Sequence, residues 1–162
     1  MNINAINAQF DLQTSWFLNA LENISNEESN TSSSENLNPI KWVAGHLTDS
    51  RMTIFNIISG NAMNEDYKKL FGKGTNSTID NTFPELEQII TDWIMISDKL
   101  KTTLQQLPEE KLFSKPPFQT AIPDETLLGL IAYFAIHESF HIGQMSIYRK
   151  LTGKATMAMG RR

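Results

Sequence analysis

Apolar residues recur at steps of three and four along four stretches of the chain, with polar runs between them. Ile6, Phe10, Phe17, Leu21 and Ile24 make the first stripe and predict a helix over residues 4–24. Residues 25–34 hold no large apolar side chain and read as a mobile tether. Asn38 is placed to cap a second helix, with Pro39 at its first position, where a missing N–H costs nothing. That helix runs to about Ser59 with Trp42, Val43, His46, Leu47, Ile54 and Ile58 inward, and Gly60 ends it. The stretch 61–82 is irregular apart from one short helix over residues 65–71.

Thr82 and Pro84 open the third stripe, which runs from Leu86 through Trp93 to Leu107 and stops at Pro108. After a turn at 109–113 and a proline-bearing loop, Asp124 is read as the cap of a fourth helix over 125–151. Its inner stripe is Leu127, Leu130, Phe134, His137, His141, Met145 and Tyr148. No stretch alternates with a period of two, so the pattern predicts an all-α fold, a four-helix bundle.

Composition narrows the picture. The chain has 162 residues, which suits one domain over 1–162. Its formal net charge of −4 argues against a nucleic-acid surface, and Arg161-Arg162 is too short to change that. There is no cysteine, so neither a disulfide nor a protein thiolate enters the chemistry. The N-terminus lacks the basic and apolar regions of a leader, which together with the missing cysteines favours a cytoplasmic protein. The longest apolar run, Leu127 to Ile136, is far short of the roughly 20 residues that cross a bilayer.

The candidate chemistry lies in the histidines. His137 and His141 stand four apart on one helical face, which lets two imidazoles share one ion. The chain has three histidines, and the third, His46, belongs to the second helix. Each alone reads as a core histidine bonded to a carbonyl or hydroxyl. Two on one buried face favour a divalent cation, because each buried ring nitrogen needs a partner and neutral imidazole is a common ligand. Glu138 completes a His-Glu-x-x-His string, in which the carboxylate of a metalloprotease is the general base. Residues 142–162 offer no further His, Asp or Glu as a downstream ligand, which sets the protease reading aside. Glu138 is read as a base or support near the ion, with a solvated side chain as the alternative. Asp49, three residues after His46, is read as accepting the free ring N–H of a ligand histidine, or else as forming a salt bridge with Arg51 or a neighbouring helix. Gln144 is read as bonding a ligand or a loop carbonyl. Trp42 and Trp93 read as core.

Two segments carry a resemblance. Trp42-Val43-Ala44-Gly45-His46-Leu47-Thr48-Asp49-Ser50 is similar to the second-helix motif of the DinB/YfiT-like superfamily. His137-Glu138-Ser139-Phe140-His141-Ile142-Gly143-Gln144 is similar to its last-helix motif. The resemblance implies an up-down-down-up four-helix bundle, a homodimer, and zinc or nickel on His46, His137 and His141. Characterised branches of the superfamily include thiol transferases using bacillithiol or mycothiol, a maleylpyruvate isomerase and glutathione-type relatives. The expected activity is a metal-activated water or thiol attacking a small electrophilic substrate, with no nucleic-acid or membrane partner. The alternative is a non-catalytic metal-stabilised bundle that binds a small molecule.

Overall fold

The computed structural model describes residues 3–32, 34–35, 37–61, 65–80 and 82–158. Met1-Asn2 and Arg161-Arg162, on which expectations about a leader and a basic footprint fell, lie outside the described residues. Among the described residues the chain is all-helical, with seven helices and no strand. They are α1 (Ile3–Leu21), α2 (Asn26–Ser29), α3 (Ile40–Ser59), α4 (Glu65–Phe71), α5 (Leu86–Gln106), α6 (Glu109–Leu112) and α7 (Leu127–Leu151). None is long and apolar enough to cross a membrane.

The four long helices pack in a ring of neighbours. α1 lies against α5 and α7, α3 lies against the same two, and α4 rests on α3. Their apolar stripes meet in two clusters. One joins Phe17 and Leu21 to Trp42 and Leu47, Ile89 and Trp93, and Ile142 and Met145. The other joins Ile6 and Phe10 to Ile54 and Ile58, Leu100 and Leu104, and Leu130 and Ile131. The start of α1 therefore meets the ends of α3 and α5 and the start of α7. Burying one such side chain contributes roughly 1.5–3 kcal/mol, so the stripes are the main source of cohesion.

The helix starts differ from the sequence reading by one to four residues, each for a physical reason. Pro39 sits at the cap of α3 without a side-chain bond, and Asn38 does not cap. Thr82 and Pro84 stay in the turn before α5, where the Asp80 carboxylate accepts from both the N–H and the hydroxyl of Thr82. Leu86 then opens α5, and its N–H donates to Asn26 Oδ1 of α2 at 3.0 Å. Thr126, not Asp124, caps α7: its hydroxyl oxygen accepts from Gly129 N–H, while Asp124 accepts from Thr126 N–H. Gly60 ends α3 with φ 75°, a left-handed conformation that glycine adopts without steric cost.

The expected tether at 25–34 is a correction. It contains α2, closed by a capping box in which Ser25 and Glu28 each bond the other's backbone N–H. The segment is tied to two of the long helices: Asn26 accepts from the first residue of α5, and the Glu28 carbonyl accepts from Tyr148 of α7 at 2.6 Å.

Candidate metal centre

The inward stripes of α3 and α7 bring the three imidazoles together. His46 Nε2 lies 3.2 Å from His137 Nε2, and His141 Nε2 lies 3.1 Å from the same atom. One ligand atom from each ring falls within 4.8 Å of the others. Tetrahedral ligands about 2.0–2.1 Å from a cation stand roughly 3.3 Å apart, so the spacing suits one ion.

The outer nitrogens of two rings are fixed. His46 Nδ1 is 2.7 Å from the Phe71 carbonyl oxygen, and His141 Nδ1 is 2.7 Å from Gln144 Oε1. Both neighbours are acceptors, so each Nδ1 carries the proton and each Nε2 turns a lone pair inward. His137 Nε2 faces both lone pairs. One imidazole proton there can serve only one of them. A divalent cation would accept all three, so these residues fit such a group. His137 Nδ1 has no hydrogen-bond partner among the described residues.

The electrostatics agree with neutral ligands. Burial, reinforced by His141 and His46, holds the His137 imidazolium down to about 3. Burial also lowers His141, with Gln144 opposing it and His46 adding to it.

Local sequence explains the placement of His46. An ideal Cβ on Gly45 would stand 2.2 Å from the Phe71 ring, so only glycine lets α4 seat on α3 there. That close approach brings the Phe71 carbonyl onto His46. The Trp42 indole stacks on the face of the His46 imidazole, 5.0 Å between centroids and 7° between planes.

Beside the imidazoles is a cavity of about 500 Å³, lined by His46 and His137 together with Asp49, Lys68, Phe118 and Tyr133. Asp49 is buried against it. Burial pushes its carboxyl up, while His46 and Lys68 pull the other way. The expected bond from His46 to Asp49 is a correction, since the ring N–H goes to the Phe71 carbonyl. Gln144 is brought to His141.

Glu138 is the larger correction. Its side chain is neither solvated nor at the ion's open position. It is fully buried, and both its oxygens accept from Arg51, at 2.8 Å from Nε and 2.8 Å from Nη2. Position 138 follows 137 by about 100° of helix, which turns the carboxylate away from the imidazoles and in among the four long helices. Burial pushes this carboxyl up, and the guanidinium on both oxygens opposes that. Arg51 donates its remaining N–H groups to Thr14 Oγ1, Ser97 Oγ and the Phe10 carbonyl, and its guanidinium lies 3.7 Å from the Trp93 ring centroid. All five donors are matched, across α1, α3, α5 and α7. The sequence reading did not single out Arg51 as a core residue. The available signal was its position three turns into an apolar stripe.

Fold and site together define an all-helical protein with a three-imidazole cluster suited to a divalent cation. The family model of the DinB superfamily matches residues 9–145, a span that holds all three histidines. The chain belongs to the DinB superfamily. No curated protein matches it.

Proposed function

We propose that this chain is a metal-dependent enzyme in which His46, His137 and His141 hold a divalent ion, zinc or nickel, beside a pocket for a small electrophilic substrate. The single observation that carries this reading is the convergence of three imidazole Nε2 atoms, two of them on rings, His46 and His137, that line a cavity of about 500 Å³. A cation held by three imidazoles supplies Lewis acidity that makes a water or thiol nucleophilic near neutral pH. The reaction type is thiol S-transfer or hydrolysis. Because the chain has no cysteine, a transferred thiol comes from a low-molecular-weight cosubstrate.

The chain's own residues have separable tasks. Phe71 and Gln144 fix two rings in the tautomer that presents Nε2. Phe118 and Tyr133 wall the cavity with apolar surface. Asp49 offers a carboxylate to the cavity and takes the role of proton acceptor that the sequence reading gave to Glu138. Glu138 is committed to Arg51, so it does not block the ion's open position, an arrangement that favours the enzyme over the closed binding protein. The same reading treats residues 1–162 as one cytoplasmic domain, an up-down-down-up four-helix bundle. The pairing of helix ends in the two core clusters supports that order.

Elemental analysis of protein purified without a metal-affinity step tests the first half, with one divalent ion per chain expected. Absence of stoichiometric metal removes the proposal. Thiol conjugation and hydrolysis of a panel of small electrophiles test the second half. Wild type is expected to turn over at least one of them, and His141→Ala to lose that rate. Equal rates for the two proteins sink the enzyme reading.

A further inference from the structure

The cavity beside the imidazoles is lined by two unlike groups of side chains. α4 and the turn after it bring Lys68 and Lys73. The loop before α7, and α7 itself, bring Phe118 and Tyr133. On α3 the lining residues His46, Asp49 and Thr53 stand at i, i+3 and i+7, so the cavity extends roughly 10 Å along that helix from the imidazoles. A space of about 500 Å³ suits a small organic molecule.

The charge of the lining runs against that of the chain. The whole sequence carries a net −4, yet two lysines line the cavity against a single carboxylate, Asp49. Among the described residues neither lysine has an acid within ion-pair distance. Lys69, the next residue of α4, differs: it pairs with Asp66 at 2.9 Å and does not line the cavity. Lys68 is near enough to Asp49 to pull its carboxyl down against burial, but one acid does not match two cations. A recess lined by an excess of one charge concentrates small ions of the other. Phe118 is 44 % exposed although it lines the same recess, which leaves aromatic surface open to an occupant. α4 also ties the charge to the imidazoles. Phe71, whose carbonyl accepts from His46 Nδ1 at 2.7 Å, follows Lys68 by about 4.5 Å of helix rise.

We propose that the cavity selects a small organic anion. Lys68, with Lys73, holds the anionic head, and Phe118 and Tyr133 take a flat apolar body. An ammonium is a point charge, so the head is a carboxylate or a phosphonate-like group. That the anion is a substrate rests on the enzyme reading above; that it binds here does not.

Three probes of similar shape separate charge from fit: trans-cinnamate, 2-phenylvinylphosphonate and the neutral cinnamamide. Calorimetric titration of the full chain, metal-free and zinc-loaded, is expected to show at least one anion binding about tenfold more tightly than the amide. The better of the two anions identifies the head group. Lys68→Met is expected to remove most of that preference in both forms of the protein, and Lys68→Arg to keep it. Added salt should narrow the preference, because attraction between accessible charges is screened. Phe118→Ala is expected to weaken all three probes by a similar factor. Lys68 and Phe118 are both exposed, so an unchanged thermal melt shows that the variants are folded. Four results would each overturn the proposal: no anion bound more tightly than the amide, a preference that Lys68→Met leaves intact, probes indifferent to Phe118→Ala, or a preference that exists only with zinc bound, which would make the ion the holder of the head. Binding to metal-free protein needs neither ion nor turnover, so the anion site and the enzyme reading fail separately.

Discussion

His137 and Glu138 are adjacent in the chain, and the two sets of buried polar groups they head differ in one respect. The ion pair at Glu138 is fully matched: Arg51 places five N–H groups on five oxygens supplied by three neighbouring helices. Around His137 the books do not close, since two lone pairs from His46 and His141 face a ring that can offer one proton. Burial penalises any unmatched polar atom. A complete network holds a fold together and asks for nothing else. An incomplete one, walled in and next to a cavity, is built for something that is added. Both lie within one turn of the same helix, so helix phase alone separates the strut from the site.

The comparison is broken most forcefully at the ion pair. Arg51→Leu strands the Glu138 carboxylate at full burial and is expected to cost about 3–5 kcal/mol in urea unfolding. The double change Arg51→Met with Glu138→Leu removes both charges and is expected to recover most of that loss. Metal content of whatever folds should stay near one per chain in both variants. If Glu138→Gln empties the site as thoroughly as His141→Ala does, the carboxylate belongs to the site and the two networks are one.

The imidazoles should show the opposite behaviour, responding to an added ion. Zinc at about 100 times its Kd is expected to raise unfolding stability by roughly 2.7 kcal/mol. The rise should vanish in His46→Ala and His141→Ala. Identical melts of wild type with and without metal contradict the incomplete network.

Acid supplies a smaller effect with a defined sign. His137 is held down to about 3 in the folded, metal-free chain, mainly by burial. In the unfolded chain its value is about 6.5. Between these limits the unfolded state binds the additional proton. Metal-free protein should therefore lose about 1.4 kcal/mol per pH unit as pH falls below about 6.5 toward 3, and show no such slope from this group above it. His137→Leu is the reference. Wild type and variant losing stability in parallel would exclude a buried neutral imidazole.

How far the sequence revealed this arrangement depended on the kind of signal. The three-and-four spacing of apolar residues is a property of single helices, so α1, α3, α5 and α7 could be read directly, as could the shared face of His137 and His141. Helix starts were less legible, even where the cap is local: Thr126, two residues after the expected Asp124, caps α7. Ser25-Asn26-Glu27-Glu28 carried a capping box that was overlooked in a polar run, whereas the cap of α5 comes from Asn26, sixty positions away. Glu138 was misread because its motif suggested a role and its partner is 87 positions distant. The Phe71 carbonyl could not have been found, since backbone acceptors leave no mark on a sequence. Only Gly45, which the Phe71 ring requires, hinted at it.

That last dependence also gives the finest test of how the site is held. Gly45→Ala places a methyl where the Phe71 ring now sits, and Gln144→Leu removes the acceptor on His141 at similar volume. Neither residue is a ligand. Loss of a partner to the far nitrogen of a ligating imidazole costs about 10–100-fold in metal affinity in comparable sites. Gln144→Leu should fall in that range with a nearly unchanged metal-free melt, because the half-buried side chain is replaced by one of similar volume. Gly45→Ala should lower both affinity and stability, because moving Phe71 disturbs the packing of α4 on α3 as well as the carbonyl. Titration with zinc against a competing chelator, beside a melt of each metal-free protein, separates the two. An affinity unaltered by Gln144→Leu would mean that ring orientation on α7 is set by packing alone, and that the contact from Gln144 to His141 is incidental.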